Sequence, residues 1–315
     1  MKNYKKYYIG VDVGGTTIKY GLFEKGKKDE KKLLAKFYVD TVVSRTNPEK
    51  AIIKGIISDI ERFCENNEYG VNKSNLAGIG LAIPGPVVDN NILRAVNINW
   101  KKHYDAYSAI KKEFGNKVKV TILNDGNAAA LGEYYYSLKG KYDSICLMTL
   151  GTAIGIGIII DNKLIEGKTG IAGELSHMKV DFSKKALKCN CGNTGCLETV
   201  TGGRGIANVY NSLYHTNVMK GAKDVISRAK VGDKKALAAL EKSLDYLSMA
   251  ISIIMLVYEP EVILIGGGVS NEGTFVTNII KEHLKDKVYM TKKLPKILLA
   301  KLKNDAGIYG AVSKL

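Results

Sequence analysis

The sequence lacks any stretch long and apolar enough to cross a bilayer: its longest nearly uninterrupted apolar run, Met249 to Tyr258, contains Ser252 and falls short of the roughly 18 to 20 residues a span requires. A secretory leader is not expected either. The basic start, Met1 to Lys6, runs into Ile9-Gly10-Val11-Asp12, where a charge and a glycine interrupt the apolar core of such a segment, and a cytoplasmic protein is the reading. Arginine is scarce, 5 of the 47 basic residues, although the net charge is +16. Arginine makes the commonest specific base contacts and the lysines are scattered, so no nucleic-acid partner is expected. Solvated lysine faces that help attract an anionic small substrate fit better. The 5 cysteines are an odd number, unsuited to a disulfide framework, and three of them crowd between Cys189 and Cys196. Crowding of that kind suggests a metal.

What is present is globular: 45% hydrophobic and 25% charged residues exclude disorder and collagen-like repeats. At 315 residues the chain is about twice the usual ~150-residue domain, so two domains are expected, although no low-complexity linker separates them. The last three residues, Ser313-Lys314-Leu315, spell a peroxisomal import tripeptide, a match that three residues readily make by chance.

Two segments look like versions of each other. Tyr7 to Val13 reads as a strand, Gly14-Gly15-Thr16-Thr17 as a turn, and Ile18 to Phe23 as a returning strand; Ser144 to Leu150, Gly151-Thr152-Ala153 and Ile154 to Ile160 repeat the pattern. Walker and dinucleotide loops run from a strand into a helix, whereas both of these turns run into another strand, so those architectures are rejected. Between the hairpins come a helix-like stretch, Pro48 to Asn66, a strand, Leu76 to Ile83, ending at Pro84-Gly85-Pro86, and a strand from Lys119 to Leu123. A helix is expected from Asn127, placing Asp125 at a strand-to-helix switch, where ligands gather in α/β folds. Further on, helices are expected from about Gly221 to Tyr258, stopped by Glu259-Pro260, and a buried strand from Glu261 to Ile265 runs into Gly266-Gly267-Gly268.

Four motifs occur in order: Asp12-Val-Gly14-Gly15-Thr16-Thr-Ile-Lys19, Asn124-Asp125-Gly-Asn-Ala-Ala-Ala-Leu-Gly-Glu133, Gly173-Glu174-Leu-Ser176-His177, and Cys189-Asn-Cys191-Gly-Asn-Thr-Gly-Cys196-Leu-Glu198. Together with Asn97-Ile-Asn-Trp100, Gly266-Gly-Gly-Val-Ser270 and Asn304-Asp-Ala-Gly307 they resemble the ROK family of repressors and sugar kinases, most closely its glucokinase-type members, from residue 7 to about 312. The resemblance implies an α/β, actin-like ATPase (ribonuclease H-like) fold, with two α/β domains around a cleft. The domains are expected at 1–123 plus 303–315, carrying the first phosphate loop, and at 124–302, the larger, carrying the sugar site, the cysteine motif and the adenosine-binding glycines Gly266, Gly267 and Gly268.

It implies the site as well. Gly14, Gly15, Thr16 and Lys19 would form the first ATP phosphate loop and Gly151 and Thr152 the second, since glycine exposes backbone N–H groups to phosphate oxygens. Either hairpin alone is as readily an ordinary tight turn. Asp12 would help place Mg²⁺ through water. Asp125 would be the general base that takes the sugar hydroxyl's proton, with capping of the following helix as its alternative or additional role. Asn124, Glu174, His177 and Glu198, with Gly85 and Asn97, would hold the sugar. His177, Cys189, Cys191 and Cys196 offer three thiolates and an imidazole, the set that a closed structural Zn²⁺ site prefers; free thiols are the alternative on spacing alone. Cys64 and Cys146 are expected to be simply buried, and His103, His215 and His283 to lie on the surface without partners.

Two departures from the family pattern stand out. Ala153 replaces a third hairpin glycine, predicting weakened ATP affinity, and Ser176 replaces the glycine before the histidine, which puts the identity of the sugar in question. Glucose phosphorylation is the expected activity; N-acetylmannosamine, N-acetylglucosamine or another hexose is the alternative acceptor, and a sugar-sensing regulator is the third reading. The six residues before Tyr7 cannot build a helix-turn-helix, so a repressor is not expected. A homo-oligomer, dimer or tetramer, is expected because related kinases commonly form one.

Overall fold

The computed structural model describes residues 5–26, 30–42, 44, 46–291 and 293–315; Met1 to Tyr4, part of the basic start, lie outside them. The chain forms two compact units, Met1–Tyr136 with Glu166–Ile171 and Asp305–Leu315, and Ser137–Ile165 with Ala172–Asn304.

In unit 1 the strands are β1 (Tyr7–Val13), β2 (Thr17–Lys25) and β3 (Lys31–Asp40), followed by helix α1 (Pro48–Glu65), then β4 (Leu76–Ile83), the short pair β5 (Val87–Val88) and β6 (Asn91–Ile92), α2 (Ala106–Phe114), β7 (Lys119–Asn124) and α3 (Asp125–Gly132). The sheet order is β3-β2-β1-β4-β7, antiparallel across β3, β2 and β1 and parallel across β1, β4 and β7. Strands β1 and β4 are buried nearly throughout, as central parallel strands covered on both faces must be. Helix α1 starts with Pro48, whose fixed φ suits a first turn and whose missing N–H costs nothing there. Its buried positions Ile52, Ile53, Ile56 and Ile60 follow the helical period, and burying each such side chain is worth about 1.5 to 3 kcal/mol.

The C-terminal helix, Ala306–Ser313, completes unit 1 and is α9 in chain order. It lies so close to β1, β4 and α3 that side chains are excluded at the crossings: a Cβ on Gly10, Gly80, Gly132 or Gly310 would run into the backbone carbonyls of Ile308, Ala311, Ala306 and Ala128 respectively. Leu315 packs with Tyr8, Phe23, Ile308 and Val312, Ser313 Oγ donates to Gly310 C=O at 2.7 Å, and Lys314 pairs with Glu166 at 3.3 Å. The terminal tripeptide is therefore engaged in the packing of unit 1.

Unit 2 repeats the scheme. It contains β8 (Ile145–Leu150), β9 (Ile154–Ile160), β10 (Lys163–Leu164), α4 (Leu197–Val200), α5 (Gly202–Leu213), α6 (Ala222–Lys230), α7 (Lys234–Tyr258), β11 (Val262–Gly266), α8 (Thr274–Lys285) and β12 (Lys296–Leu299). Its sheet order is β10-β9-β8-β11-β12, with the same antiparallel and parallel pattern in the same places. Asp233 caps α7, accepting from Lys235 N–H at 2.9 Å and Ala236 N–H at 3.1 Å, and Glu259 ends it in a left-handed conformation (φ 44°) just before Pro260. The apolar run that the sequence shows at Met249 to Tyr258 is the last part of this helix. Among the described residues no helix is long and apolar enough to cross a membrane.

The chain leaves unit 1 after Tyr136, whereas the sequence suggested a crossing near Asn124. The close packing of α3 on α9 keeps residues 125–132 with unit 1. Glu166–Ile171 also returns to unit 1, where Gly170 adopts φ 70° against the backbone of Val87.

Candidate active site

The first hairpin joins β1 to β2. Gly14 N–H bonds Thr17 C=O at 3.1 Å to close the turn, and Thr41 braces it, donating its hydroxyl to Gly14 C=O at 2.8 Å and its N–H to Thr16 C=O at 2.9 Å. Gly15, Thr16 and Thr17 stand exposed at the tip. Directly behind the tip, Asp12 faces Lys19 across the β1–β2 ladder. Burial, and then the nearby Asp125 carboxylate, push Asp12 up to about 6; Lys19 opposes the shift and Asp305 adds to it. Gly307 makes room for this carboxylate, since a Cβ there would lie 2.6 Å from Asp12 Cγ.

Helix α3 begins at Asp125, two residues before the expected start, and its cap is Asn124, whose Oδ1 accepts Asn127 N–H at 3.0 Å. Asp125 is therefore relieved of capping. Its Oδ1 accepts Gly126 N–H at 2.8 Å, and burial holds its carboxyl above the usual range despite that bond. A half-buried carboxylate with raised proton affinity at a strand-to-helix switch is suited to accepting a proton from a hydroxyl. The Asn124 amide also donates to Gly85 C=O at 3.0 Å, where Gly85 has φ 92°, and this leaves one amide hydrogen for a further partner. The structure thus brings Asn124 and Gly85 together.

Asn97 sits on an exposed turn, Val96–Ile98, that meets the first hairpin: a Cβ on Gly15 would lie 3.1 Å from Asn97 C=O. A recess of about 200 Å³ between them is lined by Gly15, Thr41, Ser44, Pro48 and Asn97. Glu49, buried at the start of α1, fixes this turn by accepting Lys101 N–H at 2.7 Å and Lys102 N–H at 2.8 Å. Nothing local in the sequence marks Glu49 for that task.

In unit 2, Gly151 N–H bonds Ala153 C=O at 3.0 Å, closing the second hairpin as Gly14 closes the first, and Thr152 is exposed at its tip. Two further backbones converge on it. Gly267 adopts φ 74°, and a Cβ there would lie 2.6 Å from the Leu150 carbonyl carbon; Gly203, in the first turn of α5, donates its N–H to Gly151 C=O at 2.6 Å. Gly266 is paired with Thr149 at the end of β11, and Gly268 is exposed. The sequence signalled the Gly266–Gly268 run by its three consecutive glycines; Gly202 and Gly203 carried the same signal in weaker form and were missed.

Also in unit 2, Gly173 (φ 93°) opens a short 3₁₀ turn, Glu174–His177, that sets His177 between two carboxylates: Nε2 lies 3.8 Å from Glu174 Oε2, and Nδ1 lies 3.8 Å from Glu198 Oε1. His177, Cys189, Cys191 and Cys196 present ligand atoms all within 4.8 Å of one another. Cys191 and Cys196 Sγ are 3.7 Å apart, and Cys189 Sγ lies 3.6 Å from His177 Nδ1. Metal–sulfur bonds of about 2.3 Å in a tetrahedron put the sulfurs about 3.8 Å apart, so these side chains fit Zn²⁺ in both donor type and spacing. Cys189 donates its S–H to Glu198 Oε1 at 2.8 Å. A thiolate at Cys189 has no proton to give, so a metal-bound cluster leaves this Glu198 oxygen for another donor. Ser176 is buried beside His177.

Cys64 and Cys146 are free and buried, as expected; burial pushes their thiols up to about 11 and about 12. His283 differs from expectation, because its Nδ1 lies 3.4 Å from Asp245 Oδ1, a contact between two helices far apart in sequence.

Two α/β units built on one repeated sheet, each opening with a glycine hairpin, define the actin-like ATPase fold, and comparison with known proteins agrees. The chain belongs to the ROK family, whose sequence model matches residues 8–314. It is similar to the glucokinase of Halalkalibacterium halodurans, 34% identical with 97% of this chain and 93% of the relative covered, and to the N-acetyl-D-glucosamine kinase of Vibrio cholerae, 29% identical with 96% and 98% covered. Among solved structures it resembles a ROK family glucokinase from Streptomyces griseus in complex with glucose and AMPPNP, with a TM-score of 0.75, 28% identity and 98% of each chain covered.

Proposed function

We propose that this sugar kinase of the ROK family transfers the γ-phosphoryl group of ATP to the 6-hydroxyl of glucose. The observation that carries the mechanism is Asp125: half-buried, raised in proton affinity, and released from capping by Asn124. Its carboxylate takes the proton of the attacking hydroxyl. Phosphoryl transfer asks little else of covalent chemistry, so the remaining residues position and neutralise. The hairpin tips at Gly15–Thr16 and Gly151–Thr152 bind phosphate oxygens, Lys19 adds a positive charge, and Gly266, Gly267 and Gly268 admit the adenosine. Asp12 would hold Mg²⁺, and when bound this ion would neutralise charge on the triphosphate.

Asn124, Gly85, Asn97, Glu174, His177 and Glu198 are the groups for the sugar hydroxyls. His177, Cys189, Cys191 and Cys196 would hold structural Zn²⁺, which when bound would fix the imidazole and so orient it for the sugar. Resemblance over nearly the whole chain to a glucokinase favours glucose. The similarly extensive likeness to an N-acetyl-D-glucosamine kinase makes that sugar the second reading. An ADP-release assay with Mg-ATP against glucose, mannose, fructose, N-acetylglucosamine and N-acetylmannosamine decides: fastest turnover on glucose is expected. Preference for an N-acetylated sugar moves the substrate and keeps the mechanism, while sugar binding without turnover on any of them overturns the kinase.

A further inference from the structure

Asp305 has no part in the chemistry above, yet it touches the charged heart of unit 1. It occupies the position that caps α9, but its side chain makes no capping bond. Its carboxylate oxygens are divided between lysines on adjacent strands: Oδ1 lies 3.5 Å from Lys19 Nζ on β2, and Oδ2 lies 2.6 Å from Lys36 Nζ on β3. The lysines differ in setting. Lys19 is largely enclosed, with 13% of its side chain exposed, and also lies 5.8 Å from the centre of the Tyr38 ring; Lys36, at 36%, reaches toward solvent. Two residues after Asp305, Gly307 bounds the Asp12 carboxylate. The start of α9 therefore touches both charged groups behind the first hairpin, Gly307 at Asp12 and Asp305 at Lys19.

We propose that Asp305 is a positioning residue for phosphoryl transfer: its carboxylate sets the Lys19 ammonium behind the first hairpin for the ATP phosphates, with Lys36 as the outer anchor. This rests on the reading of Lys19 as a phosphate ligand. The competing account is that Asp305 merely staples α9 to the sheet, which predicts lost stability without a selective loss in handling ATP.

The test is steady-state kinetics of the full-length protein with Mg-ATP and the sugar varied separately. Asp305→Asn should raise the KM for Mg-ATP roughly tenfold, the scale of one charge-assisted contact, and leave the sugar KM within about twofold. Asp305→Glu should recover part of the loss. In a Lys19→Ala background, which itself weakens ATP, adding Asp305→Asn should change the KM for Mg-ATP no further. An unchanged KM for Mg-ATP with only a lowered melting temperature overturns positioning, and so does a full, independent effect in the Lys19→Ala background. If Lys19→Ala alone leaves the KM for Mg-ATP untouched, the phosphate role of Lys19 fails and the proposal falls with it. Should Asp305→Asn not fold, the exposed Lys36→Gln substitution answers the same question. It should raise the KM for Mg-ATP about threefold, as the loss of a partly exposed ion pair does, and no rise overturns the anchor and the proposal.

Discussion

Replacing Asp12 by Asn should stabilise the protein at neutral pH while removing activity. The carboxylate is buried beside Asp125 and Asp305, with Lys19 as partial compensation, and its pKa rises from 3.8 to about 6. In the unfolded chain it ionises near the ordinary value, so between those two values the folded state binds the extra proton. Stability from this group is therefore fully present below about pH 4 and is lost as the pH rises to about 6. A rise of that size is worth about 3 kcal/mol, which is the cost of the ionised carboxylate at pH 7. Asn has nearly the same shape, keeps the close fit at Gly307, and carries no charge. Urea unfolding of both proteins without ligands, across about pH 4 to 7, should show a difference near zero at the acid end that grows to about 3 kcal/mol in favour of Asp12→Asn at the neutral end. A difference independent of pH, or a variant less stable at pH 7, would refute the charge-burial reasoning.

Asp125→Asn should lower kcat by about 10³-fold, in the range expected for a lost general base, while calorimetry finds the sugar dissociation constant within about twofold; retained turnover would remove Asp125 from that role. Cys191→Ser, at the most exposed of the three clustered thiols, should yield protein that no longer retains zinc by metal analysis and binds the sugar about tenfold more weakly. Unchanged sugar affinity would mean that the cluster does not shape the pocket. Ala153→Gly should lower the KM for Mg-ATP by about threefold by giving the second hairpin back a side-chain-free tip, and an unchanged or higher value would show that the alanine is no handicap.

Sequence periodicity and turn chemistry made much of the fold legible. Strand β4 falls at Leu76 to Ile83 as expected, α1 differs at its end by one residue, and both hairpins turn at their glycines. Strand β3 escaped notice because it is an edge strand whose charged and apolar residues mix without clean alternation, and only the opening residue, Lys31, is buried. The start of α3 was misplaced because Asn124 and Asp125 are both competent caps. Only the bond from Asn127 N–H to Asn124 shows which of them serves, and that choice is what frees Asp125. Metal-ligand spacing in the cysteine cluster was readable locally; the hold of Glu49 on Lys101 and Lys102, and of Asp305 on Lys19, was not. Such contacts join residues far apart in the chain and leave no period for a sequence window to detect.

The two units share one order of strands. In each, three antiparallel strands are followed by two parallel ones, and twice in the chain an Asn-Asp pair stands at the start of a helix: Asn124-Asp125, where Asn124 caps α3, and Asn304-Asp305, where Asp305 takes the cap position of α9. The two aspartates are of one residue type, but their surroundings differ. Asp125 has no lysine among the groups that shift it, so burial alone raises its proton affinity, which suits it to the base role proposed above. Asp305 has Lys19 and Lys36 on its two oxygens, at 3.5 Å and 2.6 Å, an arrangement that aims the two ammonium groups. A lysine brought to within about 4 Å of Asp125 would lower its pKa and turn the base into a second anchor. The difference between the roles proposed for these two aspartates therefore rests on Lys19 of β2 and Lys36 of β3, which lie against Asp305.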